Sequence, residues 1–153
     1  MQSVYEDLVF YGIEASDPED AIRKVGAKLF EQGFVRDTYV DAVAAREIEY
    51  PTGLQLATIG VAMPHTTGVH VITPAVCVVK LAHPVVFNHM GYNDGSNKVN
   101  AEMLFMMAIK DPNLQLETLQ KMMGVFSSEE ALAALSGAAN KEELWEAARK
   151  YIG

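Results

Sequence analysis

The sequence predicts an α/β domain, and three observations carry that prediction. Short apolar stretches rich in Val, Ile and Met recur along the chain. Helix-start signals stand between and after them. No internal repeat, low-complexity tract or linker interrupts the 153 residues. A chain of this length is expected to form one domain, 1–153, with a substantial core.

Leu8 to Ile13 reads as a short strand. Asp17-Pro18-Glu19-Asp20 opens a helix, with Asp17 as N-cap, proline at the first helical position and acids in the first turn. Ala21, Ile22, Val25 and Leu29 repeat at helical spacing, and Gly33 is expected to end the run. A second helix opens near Asp37-Thr38, turns Val40, Val43 and Ala44 inward and stops before Pro51. Strands are expected at Ile59–Met63, Ala75–Leu81, Val85–Phe87 and Ala101–Ile109, with Asp94-Gly95-Ser96-Asn97 as a loop. The last third reads as helical: about Asn113–Phe126, a short helix capped by Ser127 with Glu130 at N3, and a final one capped by Asn140 with Glu143 at N3.

Composition narrows the functional classes. Half of the residues are hydrophobic and 21% are charged, as in ordinary soluble domains. Twenty acids against 12 Lys and Arg leave a formal charge of −8, which argues against nucleic acid and anionic membranes as partners. No apolar run has the length to span a bilayer, and Met1 to Asp7 lacks a basic region followed by an apolar one, so a cytoplasmic protein is expected. Cys77 is the single cysteine, which precludes an internal disulfide and suits a buried, inert thiol.

The segment Ile59-Gly60-Val61-Ala62-Met63-Pro64-His65-Thr66-Thr67-Gly68 is the most informative for chemistry. A buried-strand pattern stops at Pro64, which has no N–H for a ladder, and His65 follows at the rim of the sheet. A strand-end histidine making one hydrogen bond would look the same in these ten residues. Zinc binding would need further ligands, and only His70 stands near, without a His-Glu-x-x-His pattern or a cysteine pair. There is no Gly-x-Ser-x-Gly elbow, P-loop or dinucleotide fingerprint. A histidine nucleophile that takes a group covalently and passes it on remains, with a phosphoryl group as the natural cargo. Such a cargo needs a cation and nearby donors. Arg46, at the end of the second predicted helix, is a candidate cation, although an arginine there taken alone is more often a solvated helix residue; Thr66, Thr67 and the Gly68 amide are candidate donors.

Two motifs taken together are more specific. Arg46-Glu47-Ile48-Glu49-Tyr50-Pro51-Thr52-Gly53-Leu54, followed by Ile59-Gly60-Val61-Ala62-Met63-Pro64-His65, resembles the fructose/mannitol-type enzyme IIA of the bacterial phosphoenolpyruvate-dependent sugar phosphotransferase system (PTS). The similarity runs over essentially the whole chain. It implies a mixed, mostly parallel β-sheet flanked by helices on both faces. It also implies that His65 accepts a phosphoryl group from the phosphohistidine of HPr and gives it to a cysteine of a cognate IIB protein, with Arg46 as the active-site arginine. The membrane component IIC would be met only indirectly, and no cofactor or metal is implied. The family often carries a second active-site histidine after the long apolar strand; Asn113-Leu114-Gln115-Leu116 stands there, so Gln115 takes its place. That glutamine, together with the Arg-Glu-x-Glu-aromatic-Pro-Thr-Gly run from Arg46 to Gly53 and a histidine at position 70, looks most like the galactitol-type subgroup. A regulatory IIA-like protein shares the same motif, and a metal- or ligand-binding module using His65 and His70 is a further alternative.

Overall fold

The computed structural model describes residues 3–153 and contains five strands and five α-helices among them. The strands are β1 (Val9–Ile13), β2 (Gly53–Gln55), β3 (Gly60–Ala62), β4 (Ala75–Asn88) and β5 (Lys98–Ala108). The helices are α1 (Pro18–Glu31), α2 (Tyr39–Glu49), α3 (Pro112–Phe126), α4 (Glu129–Ser136) and α5 (Lys141–Tyr151). The strands form one sheet in the order β1-β4-β5-β3-β2.

Apolar side chains on alternate positions of the central strands point to opposite faces, and both faces are covered. Val76 and Val78 of β4, with Met103, Phe105 and Met107 of β5, pack beneath α3, α4 and α5. Cys77 and Val79, with Leu104 and Met106, pack beneath α1 and α2. Burial on both faces explains why these strands read as continuous apolar runs rather than as alternating ones. Helices on both faces of a mixed sheet are what the sequence led us to expect.

The expectation of mostly parallel pairing needs correction. β1–β4 and β3–β5 are parallel, whereas β4–β5 and β2–β3 are antiparallel. The connection over residues 89–97 is too short to hold a crossover helix, so β4 and β5 close as a hairpin. Ala75–Leu81 and Val85–Phe87 also prove to be parts of one strand. Pro84 is accommodated because the β4–β5 register shifts between Lys80 and Val85, where no ladder donor is required. β2 was not foreseen. Its three residues include Gly53, too short and too weakly β-forming to register as a strand.

The helix ends follow capping chemistry closely. Asp17 accepts from the Asp20 N–H and Asn140 from the Glu143 N–H, both as expected. Gly33 follows α1 with φ +82°, a conformation that favours glycine. The cap of α4 is Ser128 rather than Ser127: Ser128 Oγ accepts from the Ala131 N–H, while the Ser127 hydroxyl donates back to the Met123 carbonyl and closes α3.

Candidate active site

His65 lies three residues past the end of β3, where Pro64 has ended the ladder. The loop is nevertheless held on several sides. The Met107 N–H at the end of β5 donates to the Pro64 carbonyl at 3.1 Å, and the Tyr39 hydroxyl of α2 donates to the Met107 carbonyl at 2.6 Å. Three residues further on, Gly68 runs against the Lys110 backbone so closely that a Cβ there would fall 2.0 Å from the Lys110 carbonyl oxygen. The His65 loop is thereby pressed against the strand-to-helix connection that leads into α3.

The His65 ring is half-buried, and its Nδ1 lies 2.8 Å from the Met63 carbonyl oxygen. A carbonyl only accepts, so Nδ1 carries the proton of the neutral ring and Nε2 keeps its lone pair. Burial lowers the pKa of the ring below its ordinary value; the Met63 carbonyl opposes this, and the positive charge of Arg46 adds to it. The imidazole is therefore neutral near pH 7, the form a nucleophile needs.

Arg46 stands in the last turn of α2, half-buried, with its guanidinium 4.9 Å from the centroid of the Tyr50 ring. A cation near a helix C-terminus is favoured by the helix dipole, and stacking on an aromatic face leaves the donor fork of Arg usable. Its positive charge contributes to the lowering of the His65 pKa, so the two predicted residues are within electrostatic reach of each other. Thr66 is buried and Thr67 exposed immediately after the histidine. Gln115 is half-buried in the first turn of α3, one turn beyond the Gly68–Lys110 contact. His70 is anchored from the α2 side: its Nδ1 is 2.8 Å from the Thr38 hydroxyl, and its carbonyl accepts from the Arg36 N–H, so it ties the loop to the segment before α2. Among the described residues no group of three or more His, Cys, Asp and Glu side chains converges on a metal position.

The surroundings are open and expose several apolar side chains. Val69 is 72% exposed, Leu116 57% and Ile72 48%. Between the Gly68 turn and the start of α3 lies a hollow of about 340 Å³ in which Ile72, Pro74 and Leu114 meet the polar Lys110, Asp111, Asn113 and Glu117. An open rim of this kind suits a protein surface better than a small molecule, for which an enclosing cavity is usual.

Comparisons with known proteins add the family. Residues 2–151 match the family described as Phosphoenolpyruvate-dependent sugar phosphotransferase system, EIIA 2. The chain belongs to that family. PTS IIA components are phosphotransferases that pass phosphoryl groups through a histidine. The chain is 28% identical over 113 residues to the galactitol-specific EIIA component of Escherichia coli, covering 74% of this chain and 73% of that protein. It is 33% identical over 134 residues to the mannitol-specific EIICBA component of Pasteurella multocida, covering 86% of this chain and 20% of that longer protein. The fold matches enzyme IIA in the Escherichia coli complex of IIA and phosphorylated IIB for mannitol, with TM-score 0.73 and 23% identity over 95% of both chains. It also matches the nitrogen regulatory protein IIA-Ntr of Neisseria meningitidis, with TM-score 0.68 and 18% identity over 94% of both. No helix among the described residues of this EIIA-family chain is long and apolar enough to cross a membrane.

One part of the neighbourhood escaped the sequence reading. Glu47, next to Arg46 on α2, is buried and bonded to Thr52, which in turn reaches Met63. The signal was present: Val40, Val43, Ala44 and Glu47 share the inward face of α2, so a charge at that spacing demands a buried partner.

Proposed function

We propose that His65 Nε2 accepts a phosphoryl group from the phosphohistidine of HPr and passes it to a cysteine of a cognate IIB protein, in the cytoplasm, for uptake of a sugar alcohol of the galactitol type. The observation that carries this reading is the hydrogen bond between His65 Nδ1 and the Met63 carbonyl, which leaves Nε2 as the free nucleophile. The Nε2 lone pair forms the new P–N bond as the P–N bond of the donor breaks, and the bonding pair returns to the donor ring. The proton on Nδ1 stays in place, so the phosphorylated ring is cationic and remains a good leaving group for the next transfer. Arg46 offsets the phosphoryl charge, with Thr66, Thr67, the Gly68 amide and Gln115 as donors. The open rim formed by Val69, Ile72 and Leu116 lets donor and acceptor proteins dock in turn. Similarity to the galactitol-specific component supports the choice of substrate class.

The test is transfer of label from radioactive phosphoenolpyruvate through enzyme I and HPr onto the wild type and onto His65→Ala. Acid-labile, base-stable label on the wild type alone is the expected result. An unlabelled wild type would overturn the carrier reading. The likeness to a nitrogen regulatory protein favours one second reading, in which the phosphorylation state of His65 controls a bound target. Onward transfer from the labelled protein to a galactitol-specific IIB decides between the two: transfer supports transport, and its failure favours regulation.

A further inference from the structure

On the α2 side of the site, three side chains and one backbone residue form a single chain of hydrogen bonds that ends on the reacting ring. The two carboxylate oxygens of Glu47 accept from the Thr52 N–H and the Thr52 hydroxyl, each at 2.8 Å. Having given its proton to Glu47, the hydroxyl accepts from the Met63 N–H at 3.2 Å. The carbonyl of Met63 then accepts from His65 Nδ1 at 2.8 Å. Each link has a direction, because a carboxylate and a carbonyl only accept and an N–H only donates; the threonine hydroxyl alone does both.

The chain replaces a missing rung of the sheet. Gly53 pairs with Ala62 in the antiparallel β2–β3 ladder, so Thr52 stands opposite Met63 one step beyond it. The Thr52 side chain supplies the acceptor that a strand carbonyl would otherwise provide. Stability alone does not call for a charge here. Glu47 is 7% exposed, and burying a carboxylate is unfavourable enough to push its pKa up to about 7 despite both Thr52 bonds. A titratable carboxyl group kept where its charge is unfavourable, and connected by hydrogen bonds to the ring of the nucleophile, marks a functional constraint.

We propose that Glu47 and Thr52 are positioning residues for the transfer at His65: they fix Met63 so that its carbonyl keeps the imidazole proton on Nδ1 and Nε2 aimed outward. The proposal rests on the carrier reading of His65. The same carbonyl faces the proton on Nδ1 as the ring becomes cationic on taking the phosphoryl group, so its placement matters both for the tautomer and for the charge that develops.

Two readouts test this: the ¹⁵N NMR shifts of the His65 ring nitrogens, which report the tautomer, and the rate of acceptance from phospho-HPr. Thr52→Val removes the hydroxyl at nearly constant shape, and Glu47→Gln removes the charge. Both are expected to mix the two tautomers and to slow acceptance about tenfold with KM unchanged. Thr52→Ser, which restores a hydroxyl, is expected to recover most of the rate lost in Thr52→Val. A folded Thr52→Val protein with the wild-type tautomer and rate would overturn the proposal. If that variant does not fold, Glu47→Gln decides by the same two readouts. A wild type that holds the Nδ1–H tautomer but takes no label would count against the carrier reading alone, since the tautomer comparison among the variants still decides the positioning claim.

Discussion

On the α2 side of His65, Glu47, Thr52 and the Met63 backbone are buried and bonded to one another in sequence. On the α3 side, Gln115 is half-buried, Leu116 is 57% exposed and the surface opens into a hollow beside Lys110. The first side reaches the ring through fixed backbone; the second presents side chains to solvent. The proposed carrier, which would meet two proteins in succession, has use for both. Its nucleophile must keep one orientation, which calls for groups locked by packing and hydrogen bonds. The face around that nucleophile must fit two different surfaces, which calls for exposed apolar side chains free to change rotamer.

The contrast should show first in the response of stability to pH. Burial raises the Glu47 pKa to about 7 in the folded chain, from 4.5 as the ordinary value. The folded state therefore holds a proton between those values that the unfolded chain has released. The stabilising contribution is fully present below about pH 4.5 and is lost as pH rises through 7. At about 1.4 kcal/mol per pKa unit the loss is on the order of 3 kcal/mol. Chemical denaturation at about pH 5 and about pH 8 should show wild type losing stability relative to Glu47→Gln on that scale. Gln115→Ala, on the open side, should follow wild type at both values. Equal behaviour of wild type and Glu47→Gln would erase the distinction between the two sides.

The seam between them comes next. A Cβ at position 68 would collide with the Lys110 backbone, which cannot swing aside as a flexible side chain would. Gly68→Ala should cost about 2 kcal/mol in thermal or chemical unfolding, within the usual range for overpacking. Unchanged stability would mean that the His65 loop and the entry to α3 are not tightly coupled. Transfer kinetics provide the smallest effects and the finest discrimination. Arg46→Lys keeps the charge but loses the forked donor and should slow phosphoryl acceptance about tenfold. Gln115→Ala removes a neutral donor and should slow it about threefold. A larger loss from Gln115 than from Arg46 would reverse the assignment of the charge-bearing side.

Much of this was legible in the sequence because the signals were local. Pro64 before His65 marks a strand end, Asp17 and Asn140 mark helix starts, and the Arg46 and His65 motifs each fall within a dozen residues. What escaped depended on pairings across the chain. β2 exists because it meets β3, and three residues with a glycine carry no pattern of their own. The single long β4 was hidden by Pro84, which is tolerated only because the register shifts there. Ser127 and Ser128 are chemically equivalent caps until the close of α3 claims the first of them. Glu47 stands in the Arg46 motif, but the motif alone assigns it no partner. Its partner Thr52 lies beyond Pro51, so the helical period that flags the carboxylate does not reach the residue that satisfies it.

Cys77 is the single cysteine of the chain, enclosed in the core beneath α1, and burial pushes its thiol well above the usual range so that it stays protonated. Thiol reagents would therefore find nothing to modify in the folded protein. A cysteine introduced at Val69 or Leu116, on the exposed rim beside His65, would be the sole reactive handle without any native residue being removed first. A fluorophore attached there would report in real time whether the two partner proteins proposed above arrive and depart in turn.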